Sequence, residues 1–174
     1  MERTASDISC CSRGPQEERP VLISGIFGHY QTEYMFIDLG SSMDIIYEQW
    51  YRQLDPEDKA RLKPVDFPLT GFCYEAVFPL GQIVFPVTLS DGKCSSTVQV
   101  NFMVMPATSR HDIIMGRCAQ RDFSMITSAP HAACGFATPS GVATLYARKE
   151  IMAIDEPVSK AAKVVLNNEP ESGY

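Results

Sequence analysis

Phe36-Ile37-Asp38-Leu39-Gly40-Ser41-Ser42 is the stretch whose reading decides the fold. An apolar run of strand character delivers an acid, and a glycine and two hydroxyl residues come directly after it. Gly40 lets the chain turn tightly there. Ser41 and Ser42 can hydrogen-bond the carboxylate or cap the next element of the chain. Taken alone, Asp38 has two readings. It is a solvated turn acid or N-cap for residues 41–54, or it is a carboxylate held at a strand end for chemistry.

Outward from that turn the pattern is mostly β. Val21 to Phe27 is apolar apart from Ser24-Gly25 and reads as a first strand. Gly28 to Glu33 reads as a turn, and Tyr34 to Ile37 as the strand that carries Asp38. After the turn, Ile46, Trp50 and Leu54 recur at four-residue steps, which predicts a helix from about Met43 to Leu54. Asp55-Pro56-Glu57-Asp58 opens a second short helix, with Asp55 as N-cap and Pro56 in its first position. Phe67 to Phe72, which contains Gly71, leads through Cys73 to Ala76 into Val77 to Gly81, and Gly71 marks a glycine-tipped hairpin between apolar arms. Ile83, Phe85, Val87 and Leu89 alternate, as do Val98, Val100, Phe102 and Val104, around the turn Ser90-Asp91-Gly92-Lys93. That pattern is a long β-hairpin, with Pro79 and Pro86 at edges or bulges. Ile113-Ile114-Met115-Gly116 is a further buried strand, and Arg117 to Phe123 a short helix. From Ser124 to about Arg148 the strand signals are weak, strongest over Val142 to Tyr146.

The bulk numbers narrow the class. The chain has 174 residues, 45% hydrophobic and 21% charged, enough for one packed domain with tails. Residues 1–20 read as a disordered arm, 21–150 as the domain and 151–174 as a flexible tail or linker. The formal net charge of −6 argues against direct electrostatic binding of nucleic acid. No window approaches the ~18–20 apolar residues of a membrane span. The N-terminus has no apolar stretch of signal-peptide type, so an intracellular, cytoplasmic setting and no membrane partner are expected. The six cysteines show no CxxC spacing, and the histidines His29, His111 and His131 are scattered, so free thiols, no metal and no cofactor are expected. His111 is expected at the surface.

Ile37-Asp38-Leu39-Gly40-Ser41-Ser42-Met43-Asp44-Ile45-Ile46 resembles the active-site segment of retropepsin-type aspartic proteases. It is most similar to those of Ty3/Gypsy-type retrotransposon polyproteins of plants. Leu69-Thr70-Gly71-Phe72 resembles that family's flap start, Pro79-Leu80-Gly81-Gln82-Ile83 the strand after it, and Ile113-Ile114-Met115-Gly116-Arg117 the element that closes the core behind the catalytic turn. The match covers roughly Val21 to Arg148, and the order of the motifs is more specific than any one of them.

The resemblance implies an all-β, retropepsin-like acid protease barrel with short helices, one flap hairpin and a helix near Arg117. It implies an aspartic endopeptidase in which two carboxylates share a proton around a water, one taking the water's proton while the other donates to the scissile carbonyl. The pair titrates as a unit. One Asp-x-Gly turn cannot supply both acids, so the implied enzyme is a two-fold homodimer acting on a polypeptide substrate. Asp38 would be the catalytic group. Gly40 would let the backbone approach its partner turn and donate to the carboxylate, and Ser41 would orient the outer oxygen, with Leu39 and Ser42 completing the turn. Thr70, Gly71 and Phe72 would belong to a flap over the substrate. Ile114 and Gly116 would pack beneath the turn, and Arg117 could pair with an acid such as Asp44.

One residue departs from the family's usual form. Leu39 stands where Thr is commonest, so the hydroxyl that cross-links the two catalytic turns is absent and the local dimer contact becomes apolar. That leaves a second function open, a weakly active or inactive protease fold that binds peptides or dimerises. With no reverse transcriptase or integrase segment in the sequence, a fragment or a degenerate gene product is expected. A nucleic-acid-linked capsid module is a third class, opposed by the charge and by the lack of a zinc knuckle. Asp44, Asp66 and Asp112 are expected as caps, turn acids or surface charges. Trp50 and the Ile46/Leu54 stripe are expected in the core.

Overall fold

In the computed structural model the described residues are 20–71 and 75–147, with the backbone of 162–163. Among the described residues the chain forms twelve strands and three short helices. The strands are β1 (Leu22–Phe27), β2 (Tyr30–Ile37), β3 (Asp44–Tyr47), β4 (Leu69–Thr70), β5 (Ala76–Val77), β6 (Gly81–Ser90), β7 (Ser95–Met105), β8 (Ile113–Met115), β9 (Ile126–Ser128), β10 (Ala133–Thr138), β11 (Gly141–Tyr146) and β12 (Ala162–Lys163). The helices are α1 (Glu48–Tyr51), α2 (Pro56–Lys59) and α3 (Arg117–Asp122).

Seven strands form one sheet in the order β1-β6-β7-β3-β8-β2-β12, and β1 also pairs with β2. All of them but β12 therefore close into a barrel, and the all-β fold with short helices is the one expected. Every second residue of β6 faces inward: Ile83, Phe85, Val87 and Leu89 are all buried. Phe27 sits at the centre of the core, with ring centroids 4.9 Å from Trp50, 4.3 Å from Phe85 and 4.9 Å from Phe102. Fully burying a side chain of this size contributes about 3 kcal/mol. A separate three-stranded sheet, β11-β10-β9, covers part of the barrel with Cys134, Phe136 and Ala143 turned inward.

The connection that matters most links β2 to β3. Both strands pair with β8, β2 in parallel through Ile37↔Met115 and β3 antiparallel through Ile46↔Ile113. The loop between them must therefore cross the C-terminal end of β8, a span of about two strand spacings, or ~10 Å. Asp38 opens that loop.

Two expectations about local structure change. The helix expected over Met43–Leu54 is a strand over Asp44–Tyr47 followed by α1 alone. Ile45 and Ile46 are stiff, β-branched residues with β7 on one side and β8 on the other, and pairing on both edges outweighs the four-residue periodicity. Ile46, Trp50 and Leu54 are nonetheless all buried, as the stripe requires. The expected turn over Gly28–Glu33 shrinks to Gly28-His29, where Gly28 holds φ of 62°. Tyr30 and Thr32 are buried in β2 behind polar neighbours, which hides the strand's first half in the sequence. Ala162 and Lys163, within the expected tail, pair with Gln31 and Tyr30. The N-terminal arm and the remainder of the tail lie outside the described residues. No helix among the described residues is long and apolar enough to cross a membrane.

Candidate active site

Asp38 comes directly after the last residue of β2, and its amide donates to Met115 O of β8 at 3.0 Å. The backbone is thus anchored up to the acid and released just after it. The Asp38 side chain is half-buried, and its Oδ1 accepts the Gly40 N–H at 2.8 Å. Leu39 and Gly40 form the exposed crest of the turn, with Leu39 60% exposed. The Gly40 amide therefore makes the bond the resemblance implied. Ser41 does something else: its hydroxyl donates to Met43 O at 2.7 Å, so it braces the loop instead of orienting the carboxylate. Ser42 is exposed, and its carbonyl accepts the Cys118 thiol with Sγ at 3.3 Å.

The element behind the loop is β8 with the start of α3. A Cβ on Gly116 would lie 2.2 Å from Met43 O and 3.0 Å from Ser41 O, so the crossing loop rests directly on a residue that has no side chain. Ile114 is buried between Phe36 and Ile45 in the pairing register. Asp44 is the buried anchor. Its Oδ1 accepts the Gly116 N–H at 2.7 Å, and its Oδ2 accepts the Ala119 N–H at 3.1 Å. These are the N-cap and third-residue amides of α3, whose own N-cap residue has no side chain to satisfy them. Burial pushes the Asp44 carboxyl up to about 6, while the bonds from Gly116 and Ala119 pull the other way.

Arg117 does not pair with Asp44. Its amide donates to Ser41 O at 2.9 Å, and its Nη1 donates to Leu39 O at 3.0 Å and Gly40 O at 3.2 Å. Asp112 is not a surface charge either: it is fully buried and accepts the Thr32 hydroxyl at 3.1 Å. His111, expected at the surface, is half-buried and stacks on Phe36 at 4.8 Å, and burial lowers its pKa. Cys94, Cys118 and Cys134 are free thiols. Burial pushes the Cys134 thiol up to about 11, so it is an inert core group.

The hairpin with Gly71 is a two-residue ladder, Leu69↔Val77 and Thr70↔Ala76. Thr70 and Gly71 are exposed. Phe72 lies outside the described residues.

Among the described residues, one group has the donor types of a cation site: His29, Asp55 and Asp58. His29 Nε2 is 3.2 Å from Asp55 Oδ2 and 3.8 Å from Asp58 Oδ2. Asp58 already accepts the Tyr30 hydroxyl at 2.9 Å and Arg61 Nη1 at 3.0 Å. The group works as a clamp that ties the β1–β2 turn to α2. Spacing does not reveal it, because His29 comes from a different turn.

No protein-family model matches the sequence, and no curated protein matches it. Among solved structures, the chain is similar to the retroviral protease-like domain of Ddi1 from Leishmania major, at 13% identity and a TM-score of 0.47, over 72% of this chain and 94% of that one.

Proposed function

We propose that the chain is an aspartic endopeptidase whose active site forms when two copies bring their Asp38 turns together. The observation that carries this reading is the presentation of Asp38. The acid caps the end of a barrel strand, is pinned by Met115 O on the backbone side, and takes the Gly40 amide on one carboxylate oxygen. A carboxylate with one oxygen bonded and a glycine crest beside it can meet a symmetry-related carboxylate with room for a water between them. Two such acids close together cannot both ionise, so one keeps a proton to give to the scissile carbonyl. The finer reading, processing of a retroelement polyprotein of the Ty3/Gypsy type in plants, rests on the motif from Ile37 to Ile46 and the order of the motifs after it.

The test is cleavage of an apolar peptide at mildly acid pH by the full chain, inhibition by a statine-type compound, and the same assay on Asp38→Asn. The substitution should lower the rate by ~10²–10⁴-fold, the usual contribution of a positioned acid or base, with an unchanged melting temperature. Sedimentation that finds only monomer at high concentration would sink the mechanism, since each copy supplies a single such turn.

Leu39 favours a second reading. An exposed leucine at the crest, where a hydroxyl would link two turns, suits a module that dimerises or binds peptide without efficient chemistry. A stable dimer that leaves every peptide intact between pH 3 and 8 would select that reading (on the order of the range in which carboxylate pairs titrate).

A further inference from the structure

We infer that Arg117 is a positioning residue for Asp38, acting through the peptide unit between Leu39 and Gly40. The loop from Asp38 to Met43 leaves the sheet to cross the end of β8, so its carbonyls need partners from elsewhere. Ser41 O has the Arg117 amide, Ser42 O has the Cys118 thiol, and Met43 O has the Ser41 hydroxyl. The crest carbonyls, Leu39 O and Gly40 O, are left to the Arg117 guanidinium, which reaches both through Nη1 at 3.0 and 3.2 Å. Leu39 has no polar side chain that could help, and it is 60% exposed.

The consequence comes from peptide geometry. In a planar trans peptide, the carbonyl of one residue and the N–H of the next point in opposite directions. Holding Leu39 O toward α3 therefore aims the Gly40 N–H away from α3. The acceptor of that N–H is Asp38 Oδ1 at 2.8 Å. A cation on the carbonyl also polarises the amide and strengthens its N–H as a donor. Arg117 thus sets the direction and strength of the bond that orients the carboxylate, without touching it. The support comes from within the chain, so each copy would carry its turn ready-formed, and a crest leucine costs the turn no internal restraint. The kinetic part of this inference rests on the peptidase reading; the geometric part does not.

The experiment uses the full chain with Arg117→Met, which keeps the stem and removes the cation, and Arg117→Lys, which restores one. Amide hydrogen exchange at Gly40 is measured by NMR, beside kcat, KM and melting temperature. Arg117→Met should speed Gly40 exchange by ~10-fold or more, the equivalent of one charge-assisted hydrogen bond. It should lower kcat by ~10–100-fold with little change in KM, the scale of a group misplaced by about an ångström. Melting should hardly move, because the side chain is exposed, and Arg117→Lys should recover most of both losses. Gly40 exchange equal to the parent's in Arg117→Met would overturn the inference, whatever the cleavage. So would parallel losses of melting temperature and kcat in both variants, which mark a purely structural residue. If the parent cleaves nothing while Gly40 exchange responds as stated, the peptidase reading fails and the positioning role stands.

Discussion

Two loops carry the weight of the functional reading, and they are built in opposite ways. The Asp38 turn crosses a strand end, and every carbonyl from Leu39 to Met43 has a donor, most of them from residues 117–118. The hairpin around Gly71 is held by two residue pairs, and Thr70, Gly71, Glu75, Ala76 and Val77 are all exposed. A loop that must place a carboxylate within a fraction of an ångström is satisfied bond by bond. On the peptidase reading the hairpin opens and closes over a substrate, and such loops are drawn from the low-stability end of a structure. The contrast is testable residue by residue, because the same substitution should have opposite weight in the two places.

The largest effect is expected from Gly116→Ala. The added carbon would sit 2.2 Å from Met43 O and 2.8 Å from Met43 C, both of them backbone atoms that no rotamer change can move. The loop must lift off β8, which breaks the bonds to Arg117 and Asp44 together. A loss of about 3 kcal/mol or more is expected, at the upper end of overpacking effects. Urea unfolding measures it, and a midpoint within error of the parent's would mean that the loop does not rest on Gly116.

Asp44 comes next. Asp44→Ala leaves the buried Gly116 and Ala119 amides without acceptors and should cost about 2–4 kcal/mol, since an unmet buried donor costs about 1–3 kcal/mol. Asp44→Asn separates charge from shape. The folded carboxyl titrates near 6 and the unfolded one near 3.8, so between those values the folded state holds more protons. Stability from this group is then greatest below about pH 4, falls as pH rises toward 6 and is level above that. The full span is about 3 kcal/mol at most, from ~1.4 kcal/mol for each pH unit. Unfolding curves at pH 4, 5, 6 and 7 should show the parent losing stability relative to Asp44→Asn across this window (roughly the interval between the two titration points). A constant difference across the window would remove the titration from Asp44.

What the sequence makes legible divides along the same line. The strands of the β6–β7 hairpin and β8 announce themselves through alternation or an unbroken apolar run, because burial on one or both faces leaves that mark. Asp38, Gly40 and Gly116 are legible as a motif in order. Their support is not. Asp44 meets its partners across 72 and 75 residues, and nothing local distinguishes it from a surface cap. Arg117 can be seen as a cation near the turn, but its acceptors are backbone carbonyls, which have no sequence signature at all. The strand Asp44–Tyr47 reads as helix because Ile46, Trp50 and Leu54 fit a helical stripe and are buried for other reasons. The β9–β11 sheet is faint because Ala133, Gly135, Ala137 and Ala143 supply little hydrophobic contrast, so the pattern that marks other strands is muted there.

The smallest effect, and the sharpest control, is Gly71→Ala. A Cβ at Gly71 meets nothing within 4 Å, and its φ is not in the left-handed range that favours glycine. The substitution should therefore change stability by less than about 1 kcal/mol, and its sign should be stabilising, because alanine has fewer unfolded conformations to lose. The amides of Leu69 to Gly71 and of Glu75 to Val77 should still exchange faster than those of Asp38 to Asp44 in both parent and variant, since the substitution adds no new partner. If Gly71→Ala were as damaging as Gly116→Ala, the hairpin would be packed against something, and the division between a braced turn and an exposed hairpin would collapse. If it stabilised the fold while slowing cleavage, the loss would report restricted hairpin motion in a region where no contact was removed, which separates gating from positioning by experiment.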